Sequence, residues 1–176
     1  KMRTIQTTVY TFDELSEGAK ENAVNKLYDI NVTYEWWDNT YYDAKTVGIK
    51  INGFDIDRGS YVQFDFINSA YDTAQQIVKE HGKDCQTYKD AEQFINEWDA
   101  LVCKYSDGVK TDVVTQENEY DFDSEAYELE QEYKNDIEHE YLKTLRSEYE
   151  YLTSEEAIIE TIEANEYEFT EDGKLI

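Results

Sequence analysis

Proline is absent from the 176 residues, and histidine and cysteine each occur only twice. Without proline there is no cis-proline switch and no Pro-rich linker. His81 and His139 alone leave little room for a histidine acid or base. No HExxH, GxSxG, GxxxxGK or GxGxxG spacing occurs anywhere in the chain. Cys85 and Cys103 form no CxxC pair, so they read as two thiols in a reducing compartment, with neither a disulfide nor a zinc framework. Apolar runs are short as well: none approaches the ~18 residues of a membrane span, and no signal-sequence core follows Met2. The expectation is a cytoplasmic protein that is not an enzyme and uses no cofactor.

Positive charge is scarce too. Sixteen Lys and Arg stand against 41 Asp and Glu, a net charge of -25. Residues 1–111 carry 19 acidic and 12 basic side chains, whereas residues 112–176 carry 22 and 4. The excess therefore gathers in the last third, interleaved with seven tyrosines. Such a surface repels nucleic acid and anionic membrane and attracts basic partners. Aromatic content of 15 % is high for a disordered acidic tail, and a chain of this length can bury a core without staples.

Periodicity supplies the elements. Ile5, Thr7 and Val9 alternate over 3–10, as in a strand. Thr11 to Glu14 has capping-box spacing, Ser16 offers a second N-cap, and an amphipathic helix follows over about 14–30. A second helix is expected over 33–47, ended by Gly48 in a left-handed conformation. Residues 49–56 and 61–66 read as a hairpin around Asp57-Arg58-Gly59-Ser60, with a bulge near Gly53. Helices follow over 68–81 and 87–105, then a loop over 106–123 with a short strand at Val113-Val114. A long acidic helix over 124–152, a short helix over 155–164 and a C-terminal hairpin across Thr170-Glu171-Asp172-Gly173 close the chain.

The pattern predicts an α+β protein: a small antiparallel sheet of 3–10, 49–56 and 61–66, joined by the C-terminal hairpin, with helices packed on it. Residues 1–111 would form the core. Residues 112–176 would be an acidic helical arm and hairpin packed on that core as one domain.

In the long helix Leu129, Tyr133, Ile137, Tyr141, Leu145 and Tyr149 recur every four residues. At about 100° per residue this stripe drifts by about 200° over its length. The helix must therefore curve around its body or meet different neighbours at its two ends. Its remaining positions are mostly Glu and Asp, with 12 acids and 3 bases between Glu119 and Glu150. That is about one net charge per 5 Å of helix, against one per ~3.4 Å along a DNA strand. Glu125, Glu128, Glu132, Asp136, Glu138 and Glu140 are the candidate contacts to a basic protein surface. Trp36, Trp37 and the 53–60 turn are the alternative surface.

Two fragments have metal-site spacing. Asp55-Ile56-Asp57-Arg58-Gly59 resembles part of a calcium loop but lacks the twelve-residue ligand set, so it reads as a turn. Asp136 and His139 have the i, i+3 spacing of di-metal bundles, yet no second pair accompanies them, so no metal is expected.

The segments Thr11–Lys20 (TFDELSEGAK), Tyr34–Trp37 (YEWW), Ile51–Gly59 (INGFDIDRG), Leu152–Ile159 (LTSEEAII) and Phe169–Gly173 (FTEDG) resemble a family of small acidic phage and prophage proteins. Members are mostly uncharacterised and sometimes described as antitoxin-like, and the resemblance brings no catalytic motif. It implies counter-defence of the anti-CRISPR or anti-restriction type in the bacterial host cytosol. The expected partner is the basic surface of a nucleic-acid-binding effector, such as a CRISPR nuclease or restriction enzyme, with no direct contact to nucleic acid. An antitoxin masking a basic toxin is the alternative, and a metal enzyme using Asp136 and His139 a more distant one.

Overall fold

A computed structural model describes Met2, residues 8–106 and residues 119–176. These residues form a small α+β fold of six α-helices and a two-stranded antiparallel sheet. The order is α1 (Glu17–Lys26), α2 (Asp38–Thr46), β1 (Ile49–Asp55), β2 (Tyr61–Phe66), α3 (Ala70–Glu80), α4 (Gln86–Tyr105), α5 (Glu119–Leu152) and α6 (Glu155–Ala164). No helix among the described residues is long and apolar enough to cross a membrane. Packing divides the chain into two compact units, Lys1–Trp37 with Ser147–Ile176, and Asp38–Arg146. That division differs from the charge boundary at residue 111.

In the first unit α1 packs on α6. Phe12, Leu15, Ala19 and Ala23 meet Ile158, Ile162 and Phe169 in one buried cluster. The capping box at Thr11 forms, with the Thr11 N–H donating to Glu14 Oε2 at 2.9 Å, but it closes only a single 3₁₀ turn over Phe12–Glu14. The α-helix starts at the second cap, where Ser16 Oγ accepts from the Ala19 N–H. It stops at Lys26, short of the expected 30, and α2 begins at Asp38, where the sequence suggests 33. Buried Asn31 accounts for the break: its amide donates to the carbonyls of Leu152 at 3.0 Å and Ala157 at 3.3 Å, and Thr161 donates to its oxygen at 2.7 Å. Helical backbone through this stretch would swing that amide away from its acceptors.

Most of the expected first strand falls outside what the structure describes. Residues 3–7 lie outside the described residues, and Tyr10 pairs with Phe169, exchanging hydrogen bonds of 2.9 and 2.8 Å. The C-terminal hairpin is reduced to one bridge, Phe169 to Leu175, and the described sheet consists of β1 and β2 alone. Phe169 decides this. It is fully buried against Phe12, so its apolar destination is the α1–α6 core.

In the second unit β1 and β2 pair antiparallel, and the register shifts between Ile51 and Gly53, where a bulge is expected. Ile49, Val62 and Phe64 fill one face of the hairpin. Helix α2 packs on β1, and α3 packs on α4. The expected strand at Val113-Val114 lies outside the described residues. Helix α5 starts at Glu119, five residues before the expected start at 124. Phe122 packs against Trp98 and Tyr105, so contact with α4 draws the helix back beyond its local start signal.

The four-residue stripe of α5 meets a succession of neighbours. Ala126 and Leu129 join Leu101 and Tyr105 of α4, and Tyr133 stacks on Phe94 and Phe66. Tyr141 donates to Asp43 Oδ2 of α2 at 2.9 Å. Arg146 reaches the hairpin turn, donating to the Ile56 carbonyl and to Ser60 Oγ. The drifting stripe is thus covered by α4, the sheet and α2 in turn.

Candidate functional site

Three exposed carboxylates of α5, Glu128, Glu132 and Asp136, lie along a cleft beside α4, within the second unit. Helix α4 contributes Asp90, Gln93 and Glu97, which follow three- and four-residue spacing beside its buried Ala91 and Phe94. Helix α5 contributes Glu128, Glu132 and Asp136, likewise four apart. The wide end of the cleft holds about 420 Å³ between Glu97, Leu101 and Lys104 on one side and Glu125, Glu128 and Glu132 on the other. Its narrow end, of about 10 Å³, lies among Asp90, Gln93, Glu97, Glu132, Tyr133 and Asp136.

The six acids singled out in the sequence do not form one face. Glu128, Glu132 and Asp136 are exposed and line the cleft. Glu125 lines it as well but is already neutralised: Lys104 Nζ sits 2.7 Å from Oε1, and the Tyr105 hydroxyl donates to the same oxygen. Those two bonds hold its carboxyl below the usual range. Glu138 is turned about 120° around the helix from Glu132, away from the cleft. Burial raises its carboxyl, with Lys134 opposing. Glu140 lies near the buried stripe and pairs with Lys143 at 3.5 Å. The expected acidic-aromatic surface separates in the same way. Tyr133 and Tyr141 are core residues, while exposed Tyr120 and Tyr127 point roughly 120–140° away from Glu132.

The alternative surface is mixed, with Asp57, Arg58 and Gly59 of the turn exposed. Trp36 is buried, 5.5 Å from the Tyr149 ring. Asp55 in the calcium-like fragment accepts the Asp57 N–H at 2.7 Å, closing its own turn. Among the described residues no group of three or more His, Cys, Asp or Glu is placed to hold a metal ion. Cys85 and Cys103 are free and exposed.

No protein-family model, curated protein or solved structure matches the chain. The functional reading therefore rests on the cleft itself. Asp90 and Glu97 lie on α4, outside the acid-rich last third, so charge density alone does not mark them. Their spacing beside the apolar face of α4 was the available signal.

Crowding of carboxylates leaves a measurable trace at Asp136. Burial raises its carboxyl first, and Asp90, Glu132 and Glu140 add to the rise, against His139. A raised folded-state pKa means that ionisation opposes folding above that value. Asp136→Asn should therefore stabilise the protein at pH 7, by a few tenths to about 1 kcal/mol given solvent screening. The gain should shrink as pH falls and vanish below about pH 4, where both states are protonated. Urea titrations of both forms at pH 7 and pH 3.5 would show it; an equal difference at both pH values would refute it.

Proposed function

We propose that this chain is an inhibitory binding protein of phage type, which blocks a nucleic-acid-handling defence effector by occupying its basic groove. A CRISPR nuclease or a restriction enzyme is the class of target. The observation that carries the reading is the cleft: Asp90 and Glu97 of α4 stand with Glu128, Glu132 and Asp136 of α5 on one surface. The α5 helix alone is too dilute in charge to imitate a nucleic-acid strand, and the second acidic row from α4 raises its density. The buried stripe holds the row in place, with Ile137 and Leu145 fully buried beneath it. Fixed negative charge steers association with a basic surface and selects against anionic ones.

Replacing Glu128, Glu132 and Asp136 together by Lys reverses the cleft while touching only exposed side chains. Pull-down against candidate nucleases should lose the partner, with circular dichroism unchanged. For the unmodified protein the association rate should fall steeply as salt rises, because exposed charges are screened within about 8 Å at physiological ionic strength. Intact binding by the triple variant would reduce the acidic surface to a solubility device. Capture of a small basic toxin in place of a nuclease would move the reading to an antitoxin.

A further inference from the structure

We propose that Tyr133, Asp90, Glu132 and Asp136 form a receptor for one primary ammonium group, a lysine side chain of the basic protein that the cleft receives. This deepens the acidic-cleft reading and rests on it. The Tyr133 ring is only 2 % exposed and is stacked on Phe94 at 4.3 Å and on Phe66 at 6.0 Å, so its hydroxyl direction is fixed. That hydroxyl is buried without a hydrogen-bond partner among the described residues, a condition folded proteins rarely leave unanswered. Tyr133 lines the recess of about 10 Å³ at the narrow end of the cleft, room for one water-sized group. An ammonium head has that size and carries three donors, whereas a planar guanidinium is larger and forked. Burial and the Asp90 charge both raise the Tyr133 phenol, and Asp90 also acts on Asp136, so the three groups share one field.

Among the described residues the lysines of α5 and the facing end of α4 are engaged elsewhere. Lys104 pairs with Glu125, Lys134 lies over the Phe64 ring at 5.3 Å, and Lys143 pairs with Glu140. Gln86 donates to Asp90 at 2.7 Å and Gln93 to Glu97 at 2.9 Å, and neither amide neutralises charge. His139 acts on Asp136, its near neighbour on α5. In the bound form the phenol oxygen and the carboxylates of Asp90 and Asp136 would each accept one ammonium proton, with Glu132 supplying further negative charge.

Calorimetry on the full chain at low salt, with octalysine, octa-arginine and spermidine as probes, tests this. Tyr133→Phe keeps the stacked ring and removes only the hydroxyl, and a thermal melt checks that it folds. Octalysine affinity should drop about tenfold in this variant, the effect of losing a hydrogen bond to a charged group, while octa-arginine affinity stays unchanged. Asp136→Asn should weaken both peptides by removing a cleft charge, and octalysine more than octa-arginine. If both peptides bind equally and ignore Tyr133→Phe, the recess holds a water only; the proposal is overturned and the acidic cleft survives. If spermidine alone depends on the hydroxyl, the occupant is a free polyamine and the lysine assignment fails. If no probe binds, the acidic-cleft reading fails with it.

Discussion

Gly173→Ala should unfold the unit built from the two chain ends, with a loss of roughly 4 kcal/mol or more. Gly173 sits at φ 77°, and a Cβ added there would lie 2.0 Å from the Ala19 carbonyl oxygen and 2.9 Å from its carbon. Those atoms belong to the backbone of α1, beside Ala23, which is fully buried. Relief would require moving the helix out of the α1–α6 core. Gly59→Ala is the control: φ is 88° but nothing lies within 4 Å, so only the left-handed backbone penalty of about 1–2 kcal/mol applies. Trp36 and Trp37 lie in the affected unit and Trp98 in the other, so single-tryptophan variants followed by fluorescence in urea can report each separately. Equal losses for the two alanine variants would mean that the close approach is absent.

Tyr133→Ala and Tyr141→Ala should each cost about 3–5 kcal/mol, since both remove a buried aromatic ring from the stripe of α5. The phenylalanine variants separate them. Tyr133→Phe deletes an unpaired hydroxyl and should be neutral or slightly stabilising. Tyr141→Phe deletes the hydrogen bond to Asp43 and should cost about 1 kcal/mol. Asp43 is held below the usual carboxylate range, first by the His81 ring nitrogen at 3.4 Å and further by Tyr141, against its own burial. Its contribution is therefore present above about pH 4, the unfolded value, and is lost as pH falls through the lowered one. The Tyr141→Phe deficit should narrow over that acid range. A deficit that stays constant down to pH 2 would show that the carboxylate is not the partner.

What could be read from the sequence was whatever depends on neighbours within a few residues. Ser16 and Ser154 cap helices because their hydroxyls meet backbone N–H groups three positions on. The bulge by Gly53 follows from the shift of apolar parity along β1, and the α5 stripe called for either a curved helix or different neighbours at its two ends. What failed depended on partners far away in the chain. Asn31 looks like any helix-compatible polar residue until Leu152 and Ala157 are in place. Phe122 looks like part of a loop until Trp98 and Tyr105 receive it. At the site, counting charges found Glu128, Glu132 and Asp136, but it could not register that Lys104 neutralises Glu125 or that Glu138 points elsewhere. Charge is a property of composition, whereas a cleft needs two helices, and the second acidic row lay on α4, whose sequence reads as an ordinary amphipathic helix.

The two compact units differ in the order in which synthesis delivers them. Asp38–Arg146 is one uninterrupted stretch, while the other unit needs Lys1–Trp37 to wait for Ser147–Ile176. During translation the central stretch can collapse as soon as it leaves the exit tunnel, because the residues of that unit are contiguous in the chain. Until α6 and Phe169 emerge, Phe12, Leu15 and Ala19 have no apolar surface to cover them and must remain exposed to chaperones and proteases. Bringing those distant ends together also carries the entropic penalty of closing a loop of more than a hundred residues, though an already folded insert shortens the effective span. A nascent chain whose residues up to about 146 have cleared the exit tunnel, with the rest still inside, would display a formed acidic cleft while its first segment is still unfolded.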